Sequence, residues 1–296
     1  MSEVRASLII PSFGRQEFLR QTVDRFLAFP FAGWELIVVD QTPAASAGLR
    51  QLQAERPDQV RYIHIPTPGL PNARNVGIRE ARGDIVVFVD DDIVPEEGFL
   101  DGHLAPYDDP DVGGVAGRIV EAVTRPRTMV ISGRVGRVRR LDGRSTRNFD
   151  SEHPCDVDFA PGGNMSFRRQ ILLDIEGFDR RFGGTAHLEE SDVSLRVTAR
   201  GWRLRFSPAA SLTHLSLQVG GCRELDMTTW FYWYGHNYLL FARKNLPHWA
   251  FPVFLAARVC KLIFTAVRHA RLSYFTRGMA GLRDGDESWR QGAAPL

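Results

Sequence analysis

The chain contains 296 residues, of which 44% are hydrophobic and 24% are charged, a composition typical of soluble globular proteins. Its formal net charge at neutral pH is only +2, which argues against a nucleic-acid-binding protein and against an acidic scaffold. The length is sufficient for one large domain or two small domains with a substantial hydrophobic core.

Short apolar strands alternate with helical patterns over roughly the first hundred residues. A helix should follow the first strand, and a second helix should begin near Pro71 and end before Gly83. The strands are continuously apolar rather than alternating, which is typical of a mostly parallel sheet covered by helices. We predict these strands over residues 6–11, 34–40, 60–65 and 84–90.

Three of these strands end at residues that would share the carboxyl edge of the sheet, where open α/β sheets bind ligands, and all of these residues except Pro11 are polar. They are Pro11 and Ser12, then Asp40, then the triplet Asp90, Asp91 and Asp92. Asp90 and Asp92 are separated by one residue, so both carboxylates could address one divalent cation, directly or through water. A solvated acidic turn would give the same local sequence.

The pattern loosens after about residue 122, where eight arginines fall within 23 residues. We interpret residues 122–155 as an Arg-rich insertion, either an ordered element on the acceptor side or a loop, and not as a nucleic-acid site, because aromatic interleaving is missing. Its arginines are Arg125, Arg127, Arg134, Arg137, Arg139, Arg140, Arg144 and Arg147. Residues 221–296 are helical, aromatic and basic in character.

Five segments, in this order, resemble family-2 inverting glycosyltransferases of the GT-A fold: LIIPSFGR, ELIVVDQTP, PGLPNARNVGIREARGDIVVFVDDDIVP, PGGNMSFRRQILLDIEGFDRRFGG and LEESDVSLRVTARGWRLRFSP. The resemblance covers about two thirds of the chain. It implies a GT-A domain over residues 1–220, including the Arg-rich insertion, and a helical C-terminal extension over residues 221–296. It also implies Mg²⁺- or Mn²⁺-dependent transfer of a sugar from a nucleoside diphosphate donor to a hydroxyl of a glycan or lipid-linked acceptor.

The acidic triplet resembles the DXD motif of this family. The resemblance implies that Asp92 ligates the metal, while Asp90 ligates it, binds through water or contacts the ribose. Asp91, counted with the donor-binding residues, is expected to point to the other face of its strand. His214 would complete the metal shell, although an isolated histidine can equally be structural.

The resemblance also places the donor. Pro11 and Ser12 would border the base pocket, and Asp40 would accept a hydrogen bond from the base or the ribose. Gly69 and Arg74 would lie near the phosphates. The alternatives are that Asp40 and Gly69 are plain turn residues and that Arg74 lies on a solvated helix face. The sequence VVDQTP departs from the common VVDNGS, which leaves the base preference open.

The segment HLEESDVSLR resembles the EDxDLxxR pattern of the family, which implies that Glu190 is the catalytic base and takes the proton of the acceptor hydroxyl. Most relatives have aspartate there, so Asp192 and Glu189 remain alternatives, as does an acidic cluster that only favours the helix dipole. The acceptor side of the pocket would be formed by Gly162, Gly163 and Asn164, unless they only make a tight turn.

An apolar run near the C-terminus is interrupted by Arg258 and Lys261, which argues against a membrane-spanning helix. We predict an amphipathic helix with a basic stripe that lies on a membrane, on the catalytic domain or on another subunit of a homo-oligomer. Besides these two residues, the stripe contains Thr265 and Arg268. The aromatic segment WFYWYGHNY upstream fits interfacial anchors, core residues or a sugar-stacking surface.

Three cysteines, Cys155, Cys222 and Cys260, form neither a CxxC pair nor a zinc-binding spacing, and the first residues lack the apolar segment of a signal peptide. We therefore expect a cytoplasmic protein, either free or peripheral on the inner membrane. Two other functional classes stay open. A nucleotidyltransferase would have a Gly-rich loop where this chain reads PSFGRQEF, and a non-catalytic nucleotide-sugar-binding protein would have lost the base.

Overall fold

The computed structural model describes residues 4–30, 33–122, 134–217, 220–222, 224 and 226–292. Arg125 and Arg127 of the predicted insertion lie outside these residues. The strands are β1 (Ala6–Ser12), β2 (Trp34–Asp40), β3 (Val60–His64), β4 (Ile85–Val89), β5 (Ile93–Pro95), β6 (Val112–Glu121), β7 (Arg137–Val138), β8 (Ser145–Thr146), β9 (Cys155–Val157), β10 (Asn164–Arg168) and β11 (Arg203–His214).

The helices are α1 (Gln16–Leu27), α2 (Ala47–Glu55), α3 (Leu70–Glu80), α4 (Phe99–Leu104), α5 (Arg169–Asp174), α6 (Glu189–Ala199), α7 (Met227–Asn245), α8 (Phe251–Arg268) and α9 (Leu272–Gln291). Two short 3-10 segments, Ala105–Asp108 and His248–Ala250, precede β6 and α8. The four strands and two helices predicted for the first part of the chain are all present, with ends that differ by one or a few residues.

Nine of the strands in the described part of the chain form one sheet, in the order β3-β2-β1-β4-β10-β6-β11-β5 with β9 beside β11. The strands β3, β2, β1 and β4 are parallel to one another, as predicted. Beyond them the sheet is mixed, because β10 runs antiparallel to both β4 and β6, and β11 runs parallel to β6 but antiparallel to β5. The strands β7 and β8 form a separate hairpin.

The strands β1, β2 and β4 are buried on both faces, which explains their continuously apolar sequences, whereas β3 at the edge of the sheet is partly exposed. Side chains alternate along β1: Ile9 belongs to the hydrophobic cluster on one side of the sheet, whereas Leu8 belongs to the cluster on the other. Ile78 of α3 lies in the first cluster and Phe26 of α1 in the second. Helices therefore cover both faces, and the polar strand ends are left at the carboxyl edge.

The C-terminal helices share the core of the sheet. Phe241 of α7 and Leu262 of α8 belong to the same buried cluster as Ile9. In addition, Lys244 of α7 donates hydrogen bonds to Asp179 at 2.6 Å and to Asp192 at 2.8 Å. The predicted helical extension is thus present and tied to the rest of the chain, while the predicted boundary at residue 220 stays a prediction.

The orientation of α8 differs from the one predicted. Arg258 is only 4% exposed and lies with Phe254 and Leu262 on the face that packs inward. The exposed side carries apolar residues such as Phe264 and Val267, which are 64% and 75% exposed. Arg258 faces inward because its guanidinium contacts aromatic side chains of α7. The predicted stripe therefore does not form one exposed basic surface.

Among the residues that the structure describes, one helix is long and apolar enough to cross a membrane by length and composition, His248–Arg268 with a mean hydropathy of 1.8. It comprises the 3-10 segment and α8. Only 28% of its most apolar window is buried inside the structure. The prediction that it does not span a membrane is not tested by this finding and stays a prediction.

Candidate active site

A cavity of about 480 Å³ lies at the carboxyl ends of β1 and β4. Its walls include most of the site residues predicted from the sequence, although they come from distant parts of the chain. These are Pro11, Ser12, Arg74, Asp90, Asp91, Asp92, Gly162, Gly163, Glu189, Glu190 and His214. The structure therefore brings the proposed metal, donor, base and acceptor residues to one place.

The register of the strands explains how His214 comes to lie beside Asp92, and Gly163 beside Asp90. His214 is the last residue of β11 and pairs with Ile93 of β5, so its imidazole lies beside the neighbouring Asp92. Asn164 of β10 pairs with Val89 of β4, which brings Gly163 next to Asp90. A side chain at Gly163 would collide with the carboxylate of Asp90. Glycine is needed there because the backbone approaches the acidic edge so closely.

Asp90, Asp92 and His214 form a compact group of ligand atoms that all lie within 4.8 Å of one another. His214 Nε2 is 3.2 Å from Asp92 Oδ1 and 3.9 Å from Asp90 Oδ2. Asp92 Oδ1 is buried and lacks a hydrogen bond of good geometry. Burial lowers the pKa of His214, but the two carboxylates outweigh this and raise it to about 9. The group thus carries an excess of negative charge that a cation would neutralise.

Asp91 has a different role from its neighbours. Its Oδ2 accepts a hydrogen bond from Ser12 at 2.6 Å, and its Oδ1 accepts one from Arg15 at 2.9 Å. Burial raises the pKa of Asp91 to about 6, against the opposing effect of Ser12 and Arg15. Asp91 therefore positions Ser12 and Arg15 at the cavity wall.

The sequence analysis missed Arg15, although it lines the cavity and its Nη1 lies 3.2 Å from Asp92 Oδ2. The signal was available, because Arg15 follows the end of β1 by three residues and so had to lie near the same edge. The cavity is also lined by Arg147, a residue of the Arg-rich insertion, and by His187, for which the local sequence carries no comparable signal.

Arg74 is buried, contrary to the alternative of a solvated helix face. Its Nη1 pairs with Glu189 Oε1, and its Nη2 donates to the carbonyl oxygen of Gly162 at 2.8 Å. The guanidinium also lies 5.3 Å from the centroid of the Phe178 ring. Burial lowers the pKa of Arg74, while the charges of Asp90 and of Glu190 oppose that shift.

The three rival carboxylates at the start of α6 have distinct surroundings. Glu189 forms an ion pair with Arg74. Asp192 is fully buried and accepts hydrogen bonds from Arg196, Lys244 and Asn245. Asp192 does not line the cavity. Glu190 does line it, and its Oε1 is 3.3 Å from the guanidinium of Arg147. Of the three, Glu190 is the carboxylate that lines the cavity without being held in a fully buried ion pair.

Besides Asp192, three predicted site residues do not line this cavity. Asp40 is fully buried and accepts hydrogen bonds from Tyr62 at 2.8 Å and from the backbone N–H of Thr42 at 2.9 Å. The cavity wall is formed by the neighbouring residue, Gln41, instead. Gly69 lines a smaller cavity of about 230 Å³ nearby. Asn164 is fully buried, and its side-chain amide donates to the carbonyl oxygens of Arg118 and Ala210.

These placements have a common physical reason. Asp40 and Asn164 both occupy strand ends at the correct edge, but their polar atoms are used to hold backbone and side chains inside the fold. A buried polar group that is already satisfied has little to gain from a ligand. Of the three residues predicted for the acceptor side, Gly162 and Gly163 line the cavity and Asn164 does not.

Residues 7–175, more than half of the chain, match the family described as "Glycosyl transferase family 2". The chain belongs to glycosyl transferase family 2. The family predicted from the five sequence motifs is thereby confirmed, and the matched region contains the acidic triplet, Arg74 and the glycine pair of the cavity.

Named relatives of this family 2 chain act in different systems. A pre-mycofactocin glycosyltransferase of Mycobacterium tuberculosis is 30% identical over 196 residues, which are 64% of this chain and 39% of that protein. This chain therefore spans well under two thirds of that relative. A glucosyl-dolichyl phosphate glucuronosyltransferase of Haloferax volcanii is 26% identical over 221 residues, 71% of this chain and 69% of that protein.

Solved structures of low sequence identity share the fold. The mannosyltransferase PcManGT from Pyrobaculum calidifontis, in complex with GDP-Man and Mn²⁺, has a TM-score of 0.58 at 19% identity, covering 97% of this chain and 76% of that chain. TarS 1-349 from S. aureus, in complex with UDP-GlcNAc, has a TM-score of 0.56 at 14% identity, covering 98% and 92%. These likenesses confirm the predicted α/β GT-A fold with a helical C-terminal extension.

Proposed function

We infer that this family 2 chain transfers a sugar from a nucleoside diphosphate donor to a hydroxyl group, with inversion at the anomeric carbon and with a divalent cation. The observation that carries this proposal is the meeting, in one cavity, of the Asp90, Asp92 and His214 group and the carboxylate of Glu190, whose partner at 3.3 Å is Arg147. The donor complexes of PcManGT and TarS support the choice of a nucleotide sugar.

The residues present fit a divalent cation. Asp90 and Asp92 supply two carboxylates, His214 supplies an imidazole, and Asp92 Oδ1 is a buried oxygen without a well-formed hydrogen bond. Carboxylates suit both Mg²⁺ and Mn²⁺, while the imidazole nitrogen favours Mn²⁺. When bound there, the cation would stabilise the negative charge that develops on the departing diphosphate.

The remaining chemistry falls to the residues of the chain. Glu190 takes the proton of the acceptor hydroxyl while the hydroxyl oxygen bonds to the anomeric carbon of the donor sugar. The bond from that carbon to the diphosphate oxygen breaks on the opposite face, so the configuration inverts and the nucleoside diphosphate leaves. Arg15 and Arg74 line the same cavity and supply positive charge to the anionic donor.

A panel of nucleotide sugars tests the proposal. We expect one of the GDP-, UDP- or dTDP-sugars to raise the melting temperature of the full chain with Mn²⁺ and not with EDTA. Asp92→Asn should abolish this stabilisation and donor turnover, because it removes a ligand charge from the Asp90, Asp92 and His214 group. Turnover is measured as release of the nucleoside diphosphate.

Asp108→Asn is the matched control, since Asp108 is exposed and distant in the fold from the cavity residues. Its stabilisation by the donor and its donor turnover should equal those of the wild-type chain. Equal stabilisation by the donor with Mn²⁺ and with EDTA would remove the cation from the proposal. The absence of stabilisation by any nucleotide sugar would overturn the proposed function itself.

A further inference from the structure

The imidazole of His214 contacts a second carboxylate on the side of the ring that faces away from Asp92. Its Nδ1 lies 3.1 Å from Oε2 of Glu121, while its Nε2 lies 3.2 Å from Asp92 Oδ1. An ionised carboxylate only accepts hydrogen bonds, so Nδ1 carries the proton of the contact with Glu121. Nε2 is then the ring nitrogen that faces Asp90 and Asp92.

The contact between Glu121 and His214 follows from the register of the sheet. Glu121 is the last residue of β6 and His214 is the last residue of β11, and the two residues pair in these parallel strands. The backbone N–H of Ala122 also donates to the carbonyl oxygen of His214 at 3.0 Å. The position of the carboxylate is therefore determined by strand pairing, although its side chain is 48% exposed.

Ser216 holds the same carboxylate. Its hydroxyl donates to Oε2 of Glu121, the oxygen that also accepts from His214, and lies 3.1 Å from His214 Nδ1. The backbone of Ser216 has a φ of 55°, a conformation that is costly for a residue other than glycine. The chain thus adopts a strained conformation at the residue that places a hydroxyl between Glu121 and His214.

The segment that carries Ser216 also binds Asp92. The backbone N–H of Leu215 donates to the carbonyl oxygen of Asp92 at 2.9 Å, and that of Leu217 donates to Asp92 Oδ2 at 3.1 Å. Glu121 itself does not line the cavity. Its carboxylate can therefore influence the cavity through the orientation of His214 and not as a further ligand.

We propose that Glu121 is a positioning residue, which holds the imidazole of His214 with Nε2 toward Asp90 and Asp92 and thereby strengthens cation binding there. Ser216 holds Glu121 in turn. A carboxylate behind a metal-ligating histidine fixes the orientation and the protonated nitrogen of the ring and makes the other nitrogen a better ligand. This inference rests on the proposed function, because it assigns a residue to the cation of that reaction.

Binding of Mn²⁺ to the full chain without any nucleotide tests the inference, with free Mn²⁺ measured by electron paramagnetic resonance. Glu121→Ala should weaken the binding of Mn²⁺ about tenfold, the lower end of such effects, because water screens the exposed carboxylate. Glu121→Gln keeps an acceptor for Nδ1 and should lose less. The affinity for Mg²⁺, measured by competition, should fall less than that for Mn²⁺, because Mg²⁺ depends on the carboxylates.

A double-mutant cycle shows whether Glu121 acts through the imidazole. In a chain that already carries His214→Ala, the substitution Glu121→Ala should not weaken the binding of Mn²⁺ any further. A second loss of about the same size in that background would mean that Glu121 acts as a ligand or as a distant charge, and it would overturn the inference.

Glu96→Ala is the matched control for charge. Glu96 is exposed, and its carboxylate accepts a hydrogen bond at 3.4 Å from Thr213, the residue before His214. Its removal should leave the affinity for Mn²⁺ close to that of the wild-type chain. Equal losses in Glu96→Ala and Glu121→Ala would reduce the effect to net charge and overturn the inference.

Two further measurements complete the test. Thermal unfolding in EDTA shows that each variant is folded before its affinity is compared. If the wild-type chain did not bind Mn²⁺, the inference would also be overturned. Failure of the proposed function is recorded separately, as a lack of stabilisation by nucleotide sugars.

Discussion

Arg74 and Glu189 form an ion pair across the cavity in which the two side chains are only 2% and 3% exposed. The pair joins α3 to the start of α6, the helix that carries the proposed base. It also fixes Gly162, whose carbonyl oxygen accepts a hydrogen bond from Arg74. The carboxylate of Glu189 is thereby committed to holding the two helices together, which leaves Glu190 as the neighbouring acid for chemistry.

Breaking this pair should be strongly destabilising. Arg74→Gln leaves the buried carboxylate of Glu189 without its counter-charge, so we expect the free energy of unfolding in urea to fall by about 3–5 kcal/mol. The double variant Arg74→Gln/Glu189→Gln should recover part of that loss, because no unpaired charge remains. The control is Arg61→Gln, which breaks an exposed pair with Glu80 and should cost at most about 1 kcal/mol. If Arg74→Gln and Arg61→Gln lowered the free energy of unfolding by similar amounts, the structural role of the buried pair would be contradicted.

The choice among the three carboxylates of α6 can be decided by separating catalysis from stability. Glu190→Gln should lower the rate of transfer by roughly 10²–10⁴-fold while the donor still raises the melting temperature, because only the proton acceptor is lost. Asp192→Asn should instead lower the melting temperature of the free chain, because Lys244 and Arg196 lose their charged partner. If Asp192→Asn abolished transfer without a change in stability, Asp192 would be the base.

Much of the fold and the site followed from local sequence. The apolar strands and the acids at their ends predicted where β4 stops and why Asp90 and Asp92 face the cavity, since strand ends of a parallel sheet meet at one edge. The sequence could not predict which strand-end polar groups are satisfied internally. Asp40 and Asn164 have the same kind of position as Ser12, yet Tyr62, the side-chain partner of Asp40, and both carbonyl partners of Asn164 lie in segments that only the tertiary structure brings together.

The orientation of α8 could not be predicted for a similar reason. Its sequence contains a basic stripe and apolar stripes, and either could face the protein. Tyr234 and Tyr238 of α7 determine the orientation, because the guanidinium of Arg258 donates to the Tyr234 hydroxyl and lies over the Tyr238 ring. Those rings lie on another helix, so the outcome depends on a contact that helical periodicity does not contain.

The close packing of α7 on α9 gives a prediction about stability. At Gly281 of α9 an added Cβ would collide with the carbonyl oxygen of Tyr232, a backbone atom that cannot move aside alone. Gly281→Ala should therefore lower the free energy of unfolding by about 1–3 kcal/mol, as overpacking generally does. Chemical denaturation measures the change.

The matched control is Gly48 of α2, where a Cβ would have its nearest neighbour, the Arg20 guanidinium, at 3.9 Å. Gly48→Ala adds the same methyl group to a helix with space around it and should stabilise the protein by up to about 1 kcal/mol, because glycine disfavours helices. Equal effects of the two substitutions would show that α7 and α9 do not approach each other as described.

His103 gives a prediction about pH. Its ring is fully buried in α4, with Nε2 at 2.7 Å from Asn164 Oδ1 and Nδ1 at 3.0 Å from Ser166 Oγ. Burial lowers the pKa of His103 from 6.5 to about 4, against the opposing hydrogen bond to Asn164. Between these values the unfolded chain binds the proton and the folded chain does not. The stability contributed by neutral His103 is therefore present above pH 6.5 and is lost as the pH falls toward 4.

At pH 5 this single group should cost the folded chain about 2 kcal/mol relative to pH 7.5. His103→Gln removes the titrating ring, so its loss of unfolding free energy between pH 7.5 and pH 5 should be smaller than that of the wild-type chain by about that amount, whatever its stability at pH 7.5. His153→Gln, at an exposed position, should retain the wild-type pH dependence. Parallel pH curves for the wild-type chain and His103→Gln would contradict a buried neutral histidine between α4 and β10, and with it the internal role of Asn164.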